Sequence, residues 1–245
     1  MVRLSTNLNR IALLRNSREI GIPNVLKFAR ICLQAGSDGL TVHPRPDERH
    51  IRRSDVPELA QLIRDEAPGR AEFNIEGNPQ PEFMKLVLSV RPDQCTLVPD
   101  NPHQLTSDHG WDLAQYGEWV EPIIAELKRA GIRVSLFMDA DDPKVLKLAK
   151  EAGADRAELY TGPYAMAYHT PQRDEVMARY TACAEEAVHL GLGLNAGHDL
   201  NLENLTFFKE RMPGLQEVSI GHALTAEALE LGMAETIHCY QQILA

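Results

Sequence analysis

With 245 residues, 25 basic against 35 acidic side chains and a formal net charge of −10, the chain is long enough to bury a large core without disulfide or metal staples. The acidic balance argues against nucleic acid or an anionic membrane as partner, and no apolar run approaches the ~18 residues of a membrane span. The opening Met1-Val2-Arg3-Leu4-Ser5-Thr6-Asn7 has no signal-peptide core, and Cys32, Cys95, Cys183 and Cys239 lie far apart without paired spacing, so a cytoplasmic protein with reduced thiols is expected.

Short runs rich in β-branched and apolar residues alternate with longer stretches of helical period. The first strand is predicted at Val2–Thr6. Val25, Phe28, Ala29, Cys32 and Leu33 keep helical spacing up to Gly36, a C-terminal cap before a second strand at Gly39–Val42. Further strands are predicted at Ala71–Ile75 and Gln94–Val98. The polar, turn-rich stretch Pro99–Gly110 then reads as a lid over a site, with a plain surface loop as the alternative. Val120, Ile123, Ile124 and Leu127 predict a helix ending at Gly131, before a strand at Arg133–Met138. Asp141-Asp142-Pro143 reads as a helix start, Gly153 as its end, and Arg156–Tyr160 as the sixth strand. Gly191–Asn195 and Glu217–Ile220 are the seventh and eighth. The joints Ala35-Gly36-Ser37-Asp38 and Ala152-Gly153-Ala154-Asp155 echo one another. Eight strands alternating with eight helical segments, without a Gly/Ser linker, predict one α/β domain over residues 1–245, a (β/α)₈ TIM barrel. An open doubly wound sheet is the competing arrangement.

In a barrel the C-terminal strand ends surround one opening, where active sites lie. Leu40-Thr41-Val42 ends at His43, with Arg45, Arg49 and His50 close behind, and Phe73-Asn74-Ile75 ends at Glu76. Leu194-Asn195-Ala196-Gly197 leads to His198 and Asp199, and Ile220-Gly221 leads to His222. Singly, each reads as a solvated loop residue or a helix cap. Gathered around one opening, they become candidates for proton transfer. Glu158 interrupts an apolar strand, where an interior carboxylate needs a partner or a function. The glycine-containing loops after the last two strands suit a phosphate held by backbone N–H groups. Arg10, Arg15, Arg18, Arg45 and Arg49 are candidate cations for it, about half of them expected to be merely solvated. There is no Gly-rich dinucleotide fingerprint, P-loop or His-Glu-x-x-His pair. Residue types alone leave open a metal site of His43, His198, His222 and a carboxylate.

These strand-end blocks resemble one family through nearly the whole chain. They are Asn7 with Ile11-Ala12-Leu13-Leu14-Arg15-Asn16, Thr41-Val42-His43-Pro44-Arg45 with Arg49-His50-Ile51, and Leu97-Val98-Pro99. Val134-Ser135-Leu136-Phe137, Glu158 with Thr161-Gly162, Asn195-Ala196-Gly197-His198 and Ile220-Gly221-His222-Ala223 continue the series. The chain resembles the pyridoxine 5′-phosphate synthase family. The resemblance implies a barrel that condenses 3-amino-2-oxopropyl phosphate with 1-deoxy-D-xylulose 5-phosphate to pyridoxine 5′-phosphate, phosphate and water, without a metal or redox cofactor. It implies His43 and Glu76 as proton acceptors, His198 as proton donor and Glu158 as a transition-state stabiliser. Asn7, Arg18, Gly221 and His222 match contacts to the aminoketone phosphate, and Arg45, His50 and Thr106 match contacts to the deoxyxylulose phosphate. Small phosphorylated substrates and a homo-octamer follow as expectations.

The chain departs from that pattern at several positions. Asn9-Arg10 stands where the family typically has Asp-His, keeping a hydrogen bond but exchanging a titrating ring for permanent charge. Asp199 stands where glycine is usual, beside the expected phosphate, and Tyr160 replaces a histidine. Two other readings compete: a metal-dependent sugar-phosphate isomerase or aldolase on the same barrel, and a non-catalytic barrel that binds a phosphometabolite.

Overall fold

The computed structural model describes residues 1–101, 104 and 106–245. β1 (Arg3–Asn7) is followed by α1 (Asn9–Asn16) and α2 (Val25–Gln34), then β2 (Gly39–Val42), α3 (Asp55–Glu66), β3 (Glu72–Gly77), α4 (Pro81–Val90) and β4 (Gln94–Leu97). The second half runs α5 (Leu113–Arg129), β5 (Arg133–Met138), α6 (Lys144–Glu151), β6 (Arg156–Tyr160), α7 (Gly162–Ala167), α8 (Arg173–Leu190), β7 (Gly193–His198), α9 (Leu205–Glu210), β8 (Leu215–Ile220), α10 (His222–Leu231) and α11 (Met233–Leu244). All eight strands pair in parallel, in sequence order, and β1 closes on β8 through Arg3↔Glu217 to Thr6↔Ile220. The architecture is therefore the (β/α)₈ barrel, and the open sheet is excluded.

Several boundaries differ from the apolar pattern for a physical reason. Strand ladders pair backbone whatever the side chain, so β3 runs on through Glu76↔Thr96 and β7 through Gly197↔Ser219 to His198↔Ile220. Polar residues expected just beyond strand ends thus belong to the strands themselves, which fixes their backbone. The seventh strand starts at Gly193 because Gly191, at φ +60°, caps α8 in a left-handed conformation. Eight helical segments were expected; among the described residues there are eleven helices, because β1, β6 and β8 are each followed by two.

The repeated helix–strand joint has a common purpose. Asp38 Oδ2 accepts from the Leu4 N–H at 2.9 Å, Asp93 Oδ2 from Phe73 N–H at 2.8 Å, and Asp155 Oδ2 from Val134 N–H at 2.9 Å. Each aspartate, one residue before an even-numbered strand, thereby ties down the start of the preceding odd-numbered one.

Side chains alternate along the strands. Leu4, Leu40, Ile75, Leu97, Leu136, Leu159, Ala196 and Ile220 are fully buried, beneath the surrounding helices; burying a leucine-sized side chain contributes about 1.5–3 kcal/mol. The intervening positions are polar and buried: Ser5 Oγ meets Thr41 Oγ1 at 2.6 Å, Asn74 Nδ2 donates to Thr41, and Thr96 Oγ1 donates to Asn74 Oδ1 at 3.1 Å. Nearer the strand starts, Arg133 bridges Gln94 and Glu72, and Arg156 bridges Asn195 and Glu217.

Candidate active site

The C-terminal mouth of the barrel holds a cavity of about 320 Å³. Twelve of the fourteen site residues expected from the sequence line it: Asn7, Asn9, Arg10, His43, Arg45, His50, Glu76, Thr106, His198, Asp199, Gly221 and His222. Glu158, 1% exposed, lies in the barrel interior and does not line the cavity. Arg18 is exposed and does not line it either. Ser107, Tyr160 and Ser219 line it without having been singled out as site residues. Tyr160 and Ser219 sit on strands, where only the closure of the barrel tells which residues reach the mouth.

Backbone stitching sets the first side of the site. Asn7 Oδ1 accepts from the Asn9 N–H at 2.9 Å, turning the chain into α1, and Asn9 Oδ1 accepts from the His43 N–H at 2.9 Å. Asn9 therefore keeps the acceptor that an aspartate would offer, without its charge. Asn7 Nδ2 donates to Glu76 Oε2 at 3.3 Å, and His43 Nδ1 lies 4.0 Å from the same oxygen. That separation is too long for a hydrogen bond, but a small shift makes it one. Burial, then the Asp100 charge, push the Glu76 carboxyl up to about 7.

Three histidines of the mouth are held neutral. Burial, followed by the charge of Arg45, drives His43 well below its ordinary range. Burial with Arg45 and Arg49 brings His50 down to about 4, and burial with Arg45 and Arg10 does the same for His198. His50 Nδ1 accepts from the Ile51 N–H at 2.9 Å, so its proton sits on Nε2. The His198 ring packs against Phe137, with centroids 4.8 Å apart, and edge-on to Tyr160 at 5.6 Å.

His198 itself has φ +89°, a left-handed conformation uncommon for a non-glycine residue and often found at functional sites. Gly197 before it has no room for a side chain: a Cβ there lies 2.6 Å from Glu158 Oε1 and 2.9 Å from the Ser219 carbonyl. The close approach brings the β7 backbone against Glu158. Glu158 Oε1 has no hydrogen-bond partner among the described residues, and Oε2 receives only a 3.4 Å contact from Thr96 Oγ1. Burial, then the charges of Glu76 and Glu217, raise its carboxyl well above the usual range. Glu158 is thus held in surroundings that favour its protonated form.

Positive charge is supplied locally. Arg10 and Arg45 line the cavity, and Gly221 caps α10, which turns the positive end of its helix dipole toward the mouth beside His222. The other candidate cations are engaged elsewhere or exposed. Arg15 makes a bidentate pair with Asp55 at 2.6 and 2.9 Å, and Arg49 pairs with Asp47 and donates to the Gln104 carbonyl. Asp199 lines the cavity, its carboxyl raised by burial against the opposing charges of His222 and Arg10. Of the stretch read as a lid, Pro102, His103 and Leu105 lie outside the described residues. Among the described residues no three His, Cys, Asp or Glu side chains converge as metal ligands, so His43, His198 and His222 do not form the ligand set that residue types left open.

Comparison with known proteins agrees over the full length. The sequence model of the pyridoxal phosphate biosynthesis protein PdxJ matches residues 4–245. A pyridoxine 5′-phosphate synthase of Allorhizobium ampelinum is 54% identical over 242 residues, covering 98% of this chain and 96% of the relative. That of Bacteroides thetaiotaomicron is 51% identical over 245 residues, covering all of both chains. Distant solved barrels share the fold alone: a putative fructose-1,6-biphosphate aldolase from Coccidioides immitis superposes with a TM-score of 0.66 at 10% identity, covering 99% of this chain and 90% of that one. The chain belongs to the PdxJ family of pyridoxal phosphate biosynthesis proteins.

Proposed function

We propose that this chain is a pyridoxine 5′-phosphate synthase, condensing 3-amino-2-oxopropyl phosphate with 1-deoxy-D-xylulose 5-phosphate to pyridoxine 5′-phosphate, phosphate and water. The observation that carries the reading is a base, Glu76 at about 7, beside three neutral histidines in one cavity that also presents Arg10, Arg45 and a helix N-terminus. A ring closure through imine formation, dehydration, phosphate loss and an aldol-type step needs several proton transfers of both directions. Glu76, half ionised near neutrality, accepts protons, with His43 4.0 Å away to share them. His198 acts as donor. Its low pKa arises from burial and from Arg45 and Arg10, and a phosphate bound at either arginine cancels that repulsion, raising the imidazole toward a competent acid. Glu158, its carboxyl raised by burial and by the charges of Glu76 and Glu217, is the group we assign to stabilising positive charge in the transition state.

Two phosphates need two cationic ends. Asn7, His222 and the α10 N-terminus at Gly221 suit the aminoketone phosphate. Arg45, His50 through its Nε2–H, and Thr106 suit the ketose phosphate. Arg18 joins the first set only if the exposed chain around it moves or a neighbouring copy brings it in. We assign the enzyme to the cytoplasm as a homo-octamer. Support comes from four unpaired cysteines and from exposed Leu13, Leu14, Ile20 and Ile22, an apolar patch suited to contact between copies. No helix among the described residues is long and apolar enough to cross a membrane.

Supplying both phosphorylated substrates and following pyridoxine 5′-phosphate by absorbance and mass tests the reading. Stoichiometric product is expected from the untreated and the chelator-treated enzyme alike. Binding of either substrate without product supports the non-catalytic barrel instead, and activity abolished by chelation supports metal-dependent chemistry.

A further inference from the structure

We propose that Asp100 is a positioning residue that aims Arg45 at the ketose phosphate and couples that aim to the general base Glu76. The inference rests on the reading above that Arg45 contacts this phosphate. Asp100 follows β4 and Arg45 follows β2, so the pair spans two loops of the mouth. Arg45 Nη2 donates to Asp100 Oδ2 at 2.6 Å, and the two side chains are only 4% and 2% exposed. Ser107 Oγ donates to the same oxygen at 2.6 Å, a second hold on it, while Asp100 Oδ1 has no hydrogen-bond partner among the described residues. A guanidinium carries five N–H donors. This is the sole side-chain hydrogen bond of Arg45 among the described residues, so its remaining donors stay available while its direction is set.

Asp100 does not line the substrate cavity. It lines a second, more apolar cavity of about 370 Å³ behind the pair, walled by Pro44, Pro46, Pro81 and Phe83. Its effect on the reaction is therefore indirect, through Arg45 and through its charge. A flexible arginine pays rotamer entropy whenever it grips a ligand, and a buried charge-assisted hydrogen bond removes that cost beforehand.

The electrostatic arm is specific. Glu76 is faced by His43 and Arg45 from the β2 side, Asp100 and Cys95 from β4, Asn7 from β1, Glu158 from β6 and Glu217 from β8. After burial, the Asp100 charge is the largest influence raising Glu76, and Arg45 opposes it. Neutralising Asp100 thus moves Glu76 to lower pKa, which a purely structural role would not do.

The test is steady-state kinetics of Asp100→Asn, Asp100→Glu, Ser107→Ala and Arg45→Ala with each substrate varied in turn across pH 5–9. Asp100→Asn is expected to raise KM for the ketose phosphate about tenfold, a change of about 1.4 kcal/mol, with KM for the aminoketone phosphate changed less than twofold. Its acid limb in kcat/KM should move below the wild-type position near 7. Asp100→Glu should return the limb toward 7, and Ser107→Ala should raise the ketose KM two- to threefold without moving the limb. If Asp100→Asn leaves both KM and limb unchanged while Arg45→Ala raises the ketose KM, the positioning role is overturned and the site assignment stands. If Arg45→Ala has no effect on either KM, both fall. Should Asp100→Asn not fold, Ser107→Ala at unchanged ketose KM overturns the proposal.

Discussion

The two ends of the barrel interior use the same residue types in opposite ways. Toward the strand starts, Glu72 pairs with Arg3 at 2.5 Å and with Arg133, while Glu217 pairs with Arg156 at 3.2 Å. Burial pushes Glu72 upward, but the hydrogen bonds and charges of Arg133 and Arg3 outweigh it, and the carboxyl stays below its ordinary range; at the more deeply buried Glu217, burial outweighs Arg156 and Arg133 and the carboxyl is raised despite its pairing. Toward the mouth, Glu76 and Glu158 have no lysine or arginine in salt-bridge contact among the described residues, and both are raised by burial. A paired carboxylate in a closed barrel holds strands together. An unpaired one costs stability and is retained where its proton is used.

The comparison breaks hardest at Glu76. Glu76→Gln is expected to cut kcat by about 10²–10⁴ with substrate affinity within a factor of three, measured by product formation and by calorimetric titration of each substrate. Below its acid limb near 7, wild-type kcat/KM should fall tenfold per pH unit, and this limb should vanish in the variant. Turnover within tenfold of wild type would remove Glu76 from the chemistry.

Stability should respond in mirror image at the two ends. Arg133→Met leaves Glu72 half-buried with one cation fewer and is expected to cost about 1–3 kcal/mol. Glu158→Gln should do the reverse. The folded pKa of Glu158 lies above its unfolded value near 4.5, so ionisation penalises the folded state increasingly as pH rises past 4.5. Removing the carboxyl therefore raises stability at pH 8 and changes little at pH 4, while turnover falls. Urea unfolding at both pH values checks this; a Glu158→Gln protein less stable than wild type at pH 8 would show that the residue is scaffold.

How far the sequence reaches follows from the same contrast. Alternation of strands and helices suffices for the barrel, and strand ends suffice for His43, Glu76, His198 and His222, because closure turns a one-dimensional position into a shared opening. Glu158 is readable as an anomaly in an apolar strand, but its partnerless Oε1 is not, since that depends on Gly197 letting β7 approach. The ion network of Arg3, Glu72, Arg133, Arg156 and Glu217 escapes the sequence because these residues also look like ordinary strand-end charges. Arg15 and Arg49 mislead for the opposite reason: their partners are decided by tertiary placement, Asp55 at the start of α3 and Asp47 in the loop after β2. Ser107 and Ser219 carry no residue-type signal at all.

The smallest effect concerns the departures from the family pattern at the mouth. Arg10 and Asp199 line one cavity, and the Arg10 charge opposes the rise of the Asp199 carboxyl. The charges of Arg10 and Asp199 thus offset one another in the field on an incoming phosphate. Arg10→Ala should raise KM for the aminoketone phosphate about two- to fivefold, and Asp199→Gly should lower it by a similar factor, in keeping with about 0.5–1 kcal/mol for charges partly open to solvent. The double variant should return to within twofold of wild type, and both single effects should shrink in 0.5 M salt. If Asp199→Gly instead raises KM, the carboxylate is a ligand for the substrate amine rather than a counterweight to Arg10.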